Sequence, residues 1–203
     1  VINGFENELT RVVTGVNGDV VLYSRGEPIQ KVEAVAAKIR KIVPEIEALT
    51  ASFVMEFMVS GSSGVAGAIL EGVDMRTLGQ VTEIPQRVIE GRMPEAEDEV
   101  ALGASVAERI GAQVGDEIRM IFPFAGASAI EDAGTAGTGN GIVAKTRVVG
   151  RVRMGMYEYD SKFVFMTLSG VQKTLGYPGR VTSFRMRLKP GVDSRVISDR
   201  LTD

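Results

Sequence analysis

The chain has 203 residues, with 44% apolar and 24% charged, so it is long enough to bury a sizeable core as one larger domain or two small ones. Its net charge of −3 and pI of about 5.3 give no basic footprint for nucleic acid or an anionic membrane surface. It holds neither Cys nor His, which excludes thiol catalysis, a Ser-His triad, a His proton shuttle, disulfides and Cys/His zinc sites within the chain.

Val1 to Thr14 reads as a helix: Ile2, Phe5, Leu9 and Val12 form one stripe, and Gly15 follows at a cap position. Asp19 to Tyr23 reads as a strand. Glu27 to Val43 is the clearest helix, with Pro28 in its first turn, an inner face of Ile29, Val32, Val35, Ala36, Ile39 and Val43, and Pro44 as its stop. Ile46 to Val59 reads as a long strand, with Phe53, Met55, Phe57 and Val59 on one face. Gly61 to Gly64 is a turn, and Val65 to Val73 is the return strand of a hairpin.

Polar turns follow, after Gly72-Val73-Asp74 and again at Ile89 to Pro94. Glu99 to Leu102 is a short strand, Ala104 to Ile110 a short helix capped by Gly111, and Asp116 to Phe122 a strand stopped by Pro123. The Gly- and Ala-rich run Phe124–Gly141 has no periodicity. A compact domain rarely keeps so long an irregular stretch without a use for it. Thr146 to Val152 and Lys162 to Thr167 read as strands. Ser169 and Gln172 form an S-x-x-Q capping box before a helix carrying Leu168, Val171 and Leu175, which Gly176 and Pro178 end. Val181 to Leu188 alternates as a strand, and Val192 to Leu201 begins a final helix.

The expected class is therefore α+β. Both termini build an α/β half, and a β-rich unit is inserted between them. No run of about 20 apolar residues is present. Val1 opens the chain without an initiator Met and Asp203 falls within a helical pattern, which suggests an excised domain.

Three groups of residues carry possible chemistry. Gly137, Gly139 and Gly141 follow no predicted strand and open no helix, so they lack the context of a nucleotide-binding loop. Glu158 and Asp160 lie two apart in a strand-like setting, where a carboxylate pair could bind Ca²⁺ or act as acid and base. No oxygen-rich ligand run surrounds them, and they read as turn groups beside packed tyrosines. Phe124, Ile130, Ile142 and Val143 on the long loop are apolar side chains that could insert into a partner. No catalytic, cofactor or metal residue is expected.

Several stretches resemble the periplasmic domain of lipoprotein-releasing ABC-transporter permeases, the LolC/LolE family within the wider MacB-like superfamily. They are Asn3-Gly4-Phe5-Glu6-x-Glu8-Leu9, Gly72-Val73-Asp74, Val100-Ala101-Leu102-Gly103-x-x-x-Ala107, Gly115-Asp116-x-Ile118 and Val148-Val149-Gly150. The most specific is Gly155-Met156-Tyr157-Glu158-Tyr159-Asp160-Ser161.

That resemblance implies a Porter-like subdomain over 1–53 and 162–203 and a Sabre-like subdomain over 54–161. The domain would lie in the periplasm, between membrane helices of a bacterial inner-membrane protein. Its expected partners are a second permease subunit, a cytoplasmic ATPase subunit that hydrolyses the ATP, lipoprotein cargo and a LolA-like periplasmic chaperone. The loop at 124–141 occupies the position of the family's chaperone-recruiting hook, with Phe124, Ile130, Glu131, Asp132, Ile142 and Val143 as its candidate contacts. It departs from the familiar hook, which is richer in Pro and Arg. The alternative within the superfamily is the periplasmic domain of a MacB-type efflux or export permease.

Overall fold

The computed structural model describes residues 9–12, 18–123 and 141–202. Among these residues ten strands join in one sheet, with six helices and a 3₁₀ turn placed on it, a mixed architecture of the expected α+β class.

The sheet is organised by β3 (Ile46–Ser60), 15 residues long. Gly61 to Gly64 turns it into β4 (Val65–Val73), the hairpin the sequence indicates, in register from Ser52↔Val73 to Ser60↔Val65. The first half of β3 pairs with β10 (Ser183–Leu188), which pairs in turn with β2 (Val20–Ser24) and, through it, β1 (Leu9–Val12).

On the other side the strands close a ring. β4 pairs in parallel with β9 (Phe163–Thr167). β9 pairs with β6 (Glu99–Gly103), and β6 runs parallel to β8 (Ile142–Val152). β8 pairs with β7 (Glu117–Phe122), which returns to the last residues of β3. The circuit β3-β4-β9-β6-β8-β7 is a six-stranded barrel. The short β5 (Val88–Gly91) is appended to β8 beyond it.

Alternation along these strands turns one set of side chains inward. Phe57, Val59, Leu70, Leu102, Met120, Phe122, Ile142, Val148 and Val164 fill the barrel, and the Phe57 and Phe122 rings stack at 5.4 Å. Helix α3 (Ala104–Ile110) closes the end at the β3–β4 turn, where the Ser63 N–H donates to the Ile110 carbonyl at 3.0 Å. Helix α5 (Leu168–Leu175) packs Val171 and Leu175 at the opposite mouth. Gly72 allows that approach, since a Cβ there would lie 2.6 Å from Val171 Cγ2.

A second cluster lies between helix α1 (Val32–Ile42), helix α6 (Ser194–Thr202) and the open part of the sheet, with Ile39, Val43, Phe184, Met186 and Ile197 at its centre. A third joins Val73, Ala101 and Phe165 to Leu78 of the short helix α2 (Leu78–Val81) and Ile84 of the 3₁₀ turn Ile84–Arg87. The boundary expected at residue 53 falls inside β3. β9, assigned by sequence to the terminal half, is a strand of the barrel, and α5, assigned likewise, packs on it.

Five local expectations change. Helix α1 begins at Val32 rather than Glu27, so Pro28 and Ile29 lie outside it and Ile29 bridges to Val181 instead. Leu9–Val12 is a strand rather than part of a helix, because it pairs with β2 in register from Leu9↔Ser24 to Val12↔Val21. The rest of the stretch expected to be helical lies outside the described residues. Tyr157–Ser161 belongs to helix α4 (Tyr157–Lys162) and is not strand-like. The α5 cap is Thr167, whose hydroxyl accepts the Gly170 N–H at 3.1 Å, while Gln172 donates to the Arg180 carbonyl, so Ser169 and Gln172 form no capping box. Ile89 to Gly91, expected as a turn, belongs to β5.

Candidate functional site: the barrel mouth and the roots of the long loop

The long loop leaves from β7 and returns into β8 at one end of the barrel. Of its candidate contacts, Phe124, Ile130, Glu131 and Asp132 lie outside the described residues. Ile142 is 1% exposed and points into the barrel opposite Phe122, so it belongs to the core and is not offered to a partner. Val143 is one residue further on and faces outward. It pairs with Ile121, Ile121 pairs with Met58, and Met58 pairs with Gly67. This cross-strand row of partly exposed residues on the barrel wall was not visible in the sequence, because it depends on the pairing of β7 with β3.

Beside the loop roots the barrel wall is open. β8 spans 11 residues and its parallel neighbour β6 only five, beginning opposite Arg147. A cavity of about 650 Å³ occupies the gap, lined by Ala144, Lys145, Thr146, Met166, Lys173 and residues 96–98. Thr146 is 3% exposed, and its hydroxyl has no hydrogen-bond partner among the described residues. At the rim Lys173 Nζ meets Glu97 at 2.7 Å.

The adjoining loop is held by Glu99. Arg92 donates to both its carboxylate oxygens at 2.6 and 2.7 Å, and the backbone N–H groups of Glu95 and Ala96 donate to one of them. The guanidinium, helped by those two amides, holds the Glu99 carboxyl down at about 2.

The segment Tyr157–Ser161 has a structural role. The Asp160 carboxylate is buried and accepts the N–H groups of Met154 and Gly155 at 2.6 and 3.2 Å, tying the start of α4 back on itself. Tyr159 stacks on Phe163 at 4.8 Å. Glu158 is exposed, so the two carboxylates do not converge as a site. Tyr157 stands 78% exposed.

One ion pair lies deep in the sheet. Arg185 on β10 donates to Glu71 on β4 at 2.6 Å across the intervening β3, with the side chains 3% and 0% exposed. Ser52 and Ser183 hydrogen-bond beside it at 2.6 Å. Burial pushes the Glu71 carboxyl above its usual value, against the pull of Arg185. Sequence reasoning passed over both residues. The signal was there, in a Glu inside the apolar run VAGAILEGV and an Arg inside SFRMRL.

The fold has counterparts among solved structures. The periplasmic region of MacB from Actinobacillus actinomycetemcomitans superposes with a TM-score of 0.56 at 16% identity, covering 99% of this chain and 84% of that one. The extracellular domain of the noncanonical ABC-type transporter YknZ from Gram-positive bacteria gives 0.52 at 12% identity, covering 85% of this chain and 83% of that one. No curated protein sequence matches the chain. Residues 1–203 match the family described as the MacB-like periplasmic core domain, and the chain belongs to that family.

Proposed function

We propose that this domain belongs to an ABC-transporter permease that releases lipoproteins from the inner membrane and hands them to a periplasmic chaperone. The family match over residues 1–203 carries the permease part of this reading. The lipoprotein branch is supported by Gly155–Ser161, the segment with the most specific resemblance, which forms the anchored and partly exposed start of α4. The domain acts mechanically and not as an enzyme. ATP is hydrolysed by a separate cytoplasmic subunit, a second permease subunit completes the transporter, and domain motion passes the cargo to the chaperone docked at the 124–141 loop.

The likeness to the periplasmic region of MacB favours a second reading, a MacB-type efflux or export permease. Depletion of the complete permease in its host, followed by fractionation of the membranes, separates the two. Retention of lipoproteins in the inner membrane, together with loss of chaperone capture on deleting 124–141, is the expected result. Normal lipoprotein sorting with impaired efflux replaces the first reading by the second.

A further inference from the structure

The opening in the barrel wall has a backbone on one side. In an antiparallel pair, alternate residues direct both backbone groups at the partner strand, and the residues between direct theirs away. The Val148 N–H donates to the Asp116 carbonyl at 2.9 Å, so Val148, Thr146, Ala144 and Ile142 bond toward β7. The Arg147 N–H donates the other way, to Asp98, at 2.8 Å. Val143 and Lys145 share that second direction, yet β6 reaches only as far as Arg147. Their N–H and C=O groups form a free strand edge backing the 650 Å³ cavity, unpaired by any described strand.

We propose that this edge is a peptide-binding slot, in which an extended polypeptide segment adds as a strand beside Val143–Lys145. Added strands take their affinity from main-chain hydrogen bonds and their selectivity from alternate side chains. A side chain directed inward meets Ala144, Met166 and Thr146, which suits an apolar residue. Its neighbours face the rim. There Lys173 is engaged by Glu97, Lys145 by Glu117 at 3.0 Å, and the exposed Asp98 adds a further negative charge. The exposed Arg147, bonded to Asp98 through its N–H, offsets that charge, so selectivity rests on the inward apolar side chain. The inference concerns a site on this chain and holds whichever cargo the transporter moves.

The test uses the 203-residue chain and a fluorescent octapeptide, Ser-Thr-Val-Leu-Lys-Val-Thr-Ser, read by anisotropy. Saturable binding is expected, with the Lys145 amide protected from hydrogen exchange only when peptide is present. Lys145→Pro removes the edge N–H without touching the β7 ladder, a position where an edge strand tolerates proline. It weakens binding about tenfold or more. Thr174 on α5 also lines the cavity, and Thr174→Trp, which fills it, abolishes binding should the proline variant fail to fold. The proposal is overturned by the absence of saturable binding below about 1 mM, by equal affinity of the wild type and either Lys145→Pro or Thr174→Trp, or by a Lys145 amide already protected in the free chain.

Discussion

Removing the Glu71 carboxylate is the sharpest probe of how the sheet is held. Glu71→Ala leaves the Arg185 guanidinium buried, 3% exposed, without its counter-ion. Breaking a buried pair from one side costs about 3–5 kcal/mol, because the remaining charge is shut off from water and has lost its counter-ion. For a chain of this size, 1 kcal/mol shifts the melting temperature by roughly 2–4 °C, so the loss is on the order of 10 °C. Converting both partners, as Glu71→Met with Arg185→Met, removes the stranded charge and brings stability back to within about 1–2 kcal/mol of the wild type. Lys173→Ala, which breaks an ion pair with side chains 73% and 47% exposed, serves as the control and costs less than about 1 kcal/mol. Urea denaturation of the four proteins measures all of this. A Glu71→Ala loss below about 1 kcal/mol, or a double variant as unstable as the single, would refute the reasoning.

Gly150→Ala places a Cβ against the carbonyl oxygen of Arg92, with the carbonyl carbon at 2.9 Å. Those are backbone atoms, so β5 must move off β8, at a cost of about 1–3 kcal/mol. Faster amide exchange confined to Val88–Gly91 reports it, and unchanged exchange there argues against the packing described. The Glu99 carboxyl is held below its ordinary value, so its contribution is complete above about pH 4.5 and is lost as pH falls toward about 2. Solvent screening reduces that contribution to about 1 kcal/mol or less. Acid titration of stability in the wild type and Glu99→Gln should converge at the low end of that window, and parallel curves would show that Glu99 does not titrate there.

What the sequence made legible is what local chemistry decides. The β3–β4 hairpin follows from a Gly-Ser turn between apolar alternations. Helices α3 and α5 end at Gly111 and Gly176, both in the left-handed conformation at φ 66° and 69°. The misread segments owe their state to distant partners. Leu9–Val12 is extended because β2 is beside it, and a helical stripe in so short a stretch cannot compete with that ladder. Tyr157–Ser161 turns helical where Asp160 captures two backbone N–H groups. The candidate site was legible only as a location next to the loop. The edge itself exists because β8 outruns β6, and that mismatch depends on a parallel pairing between segments more than 40 residues apart. Ile142 was misplaced for a related reason, since only the Phe122 pairing shows that β8 begins there.

The length of β3 has a thermodynamic consequence. Its first half carries the pairing with β10 that the α1–α6 cluster rests on, and its second half is a stave of the barrel. Melting either cluster strips β3 of part of its ladder and exposes apolar residues of the other. The two clusters are therefore coupled through β3, and the expected outcome in heat or denaturant is that they are lost together.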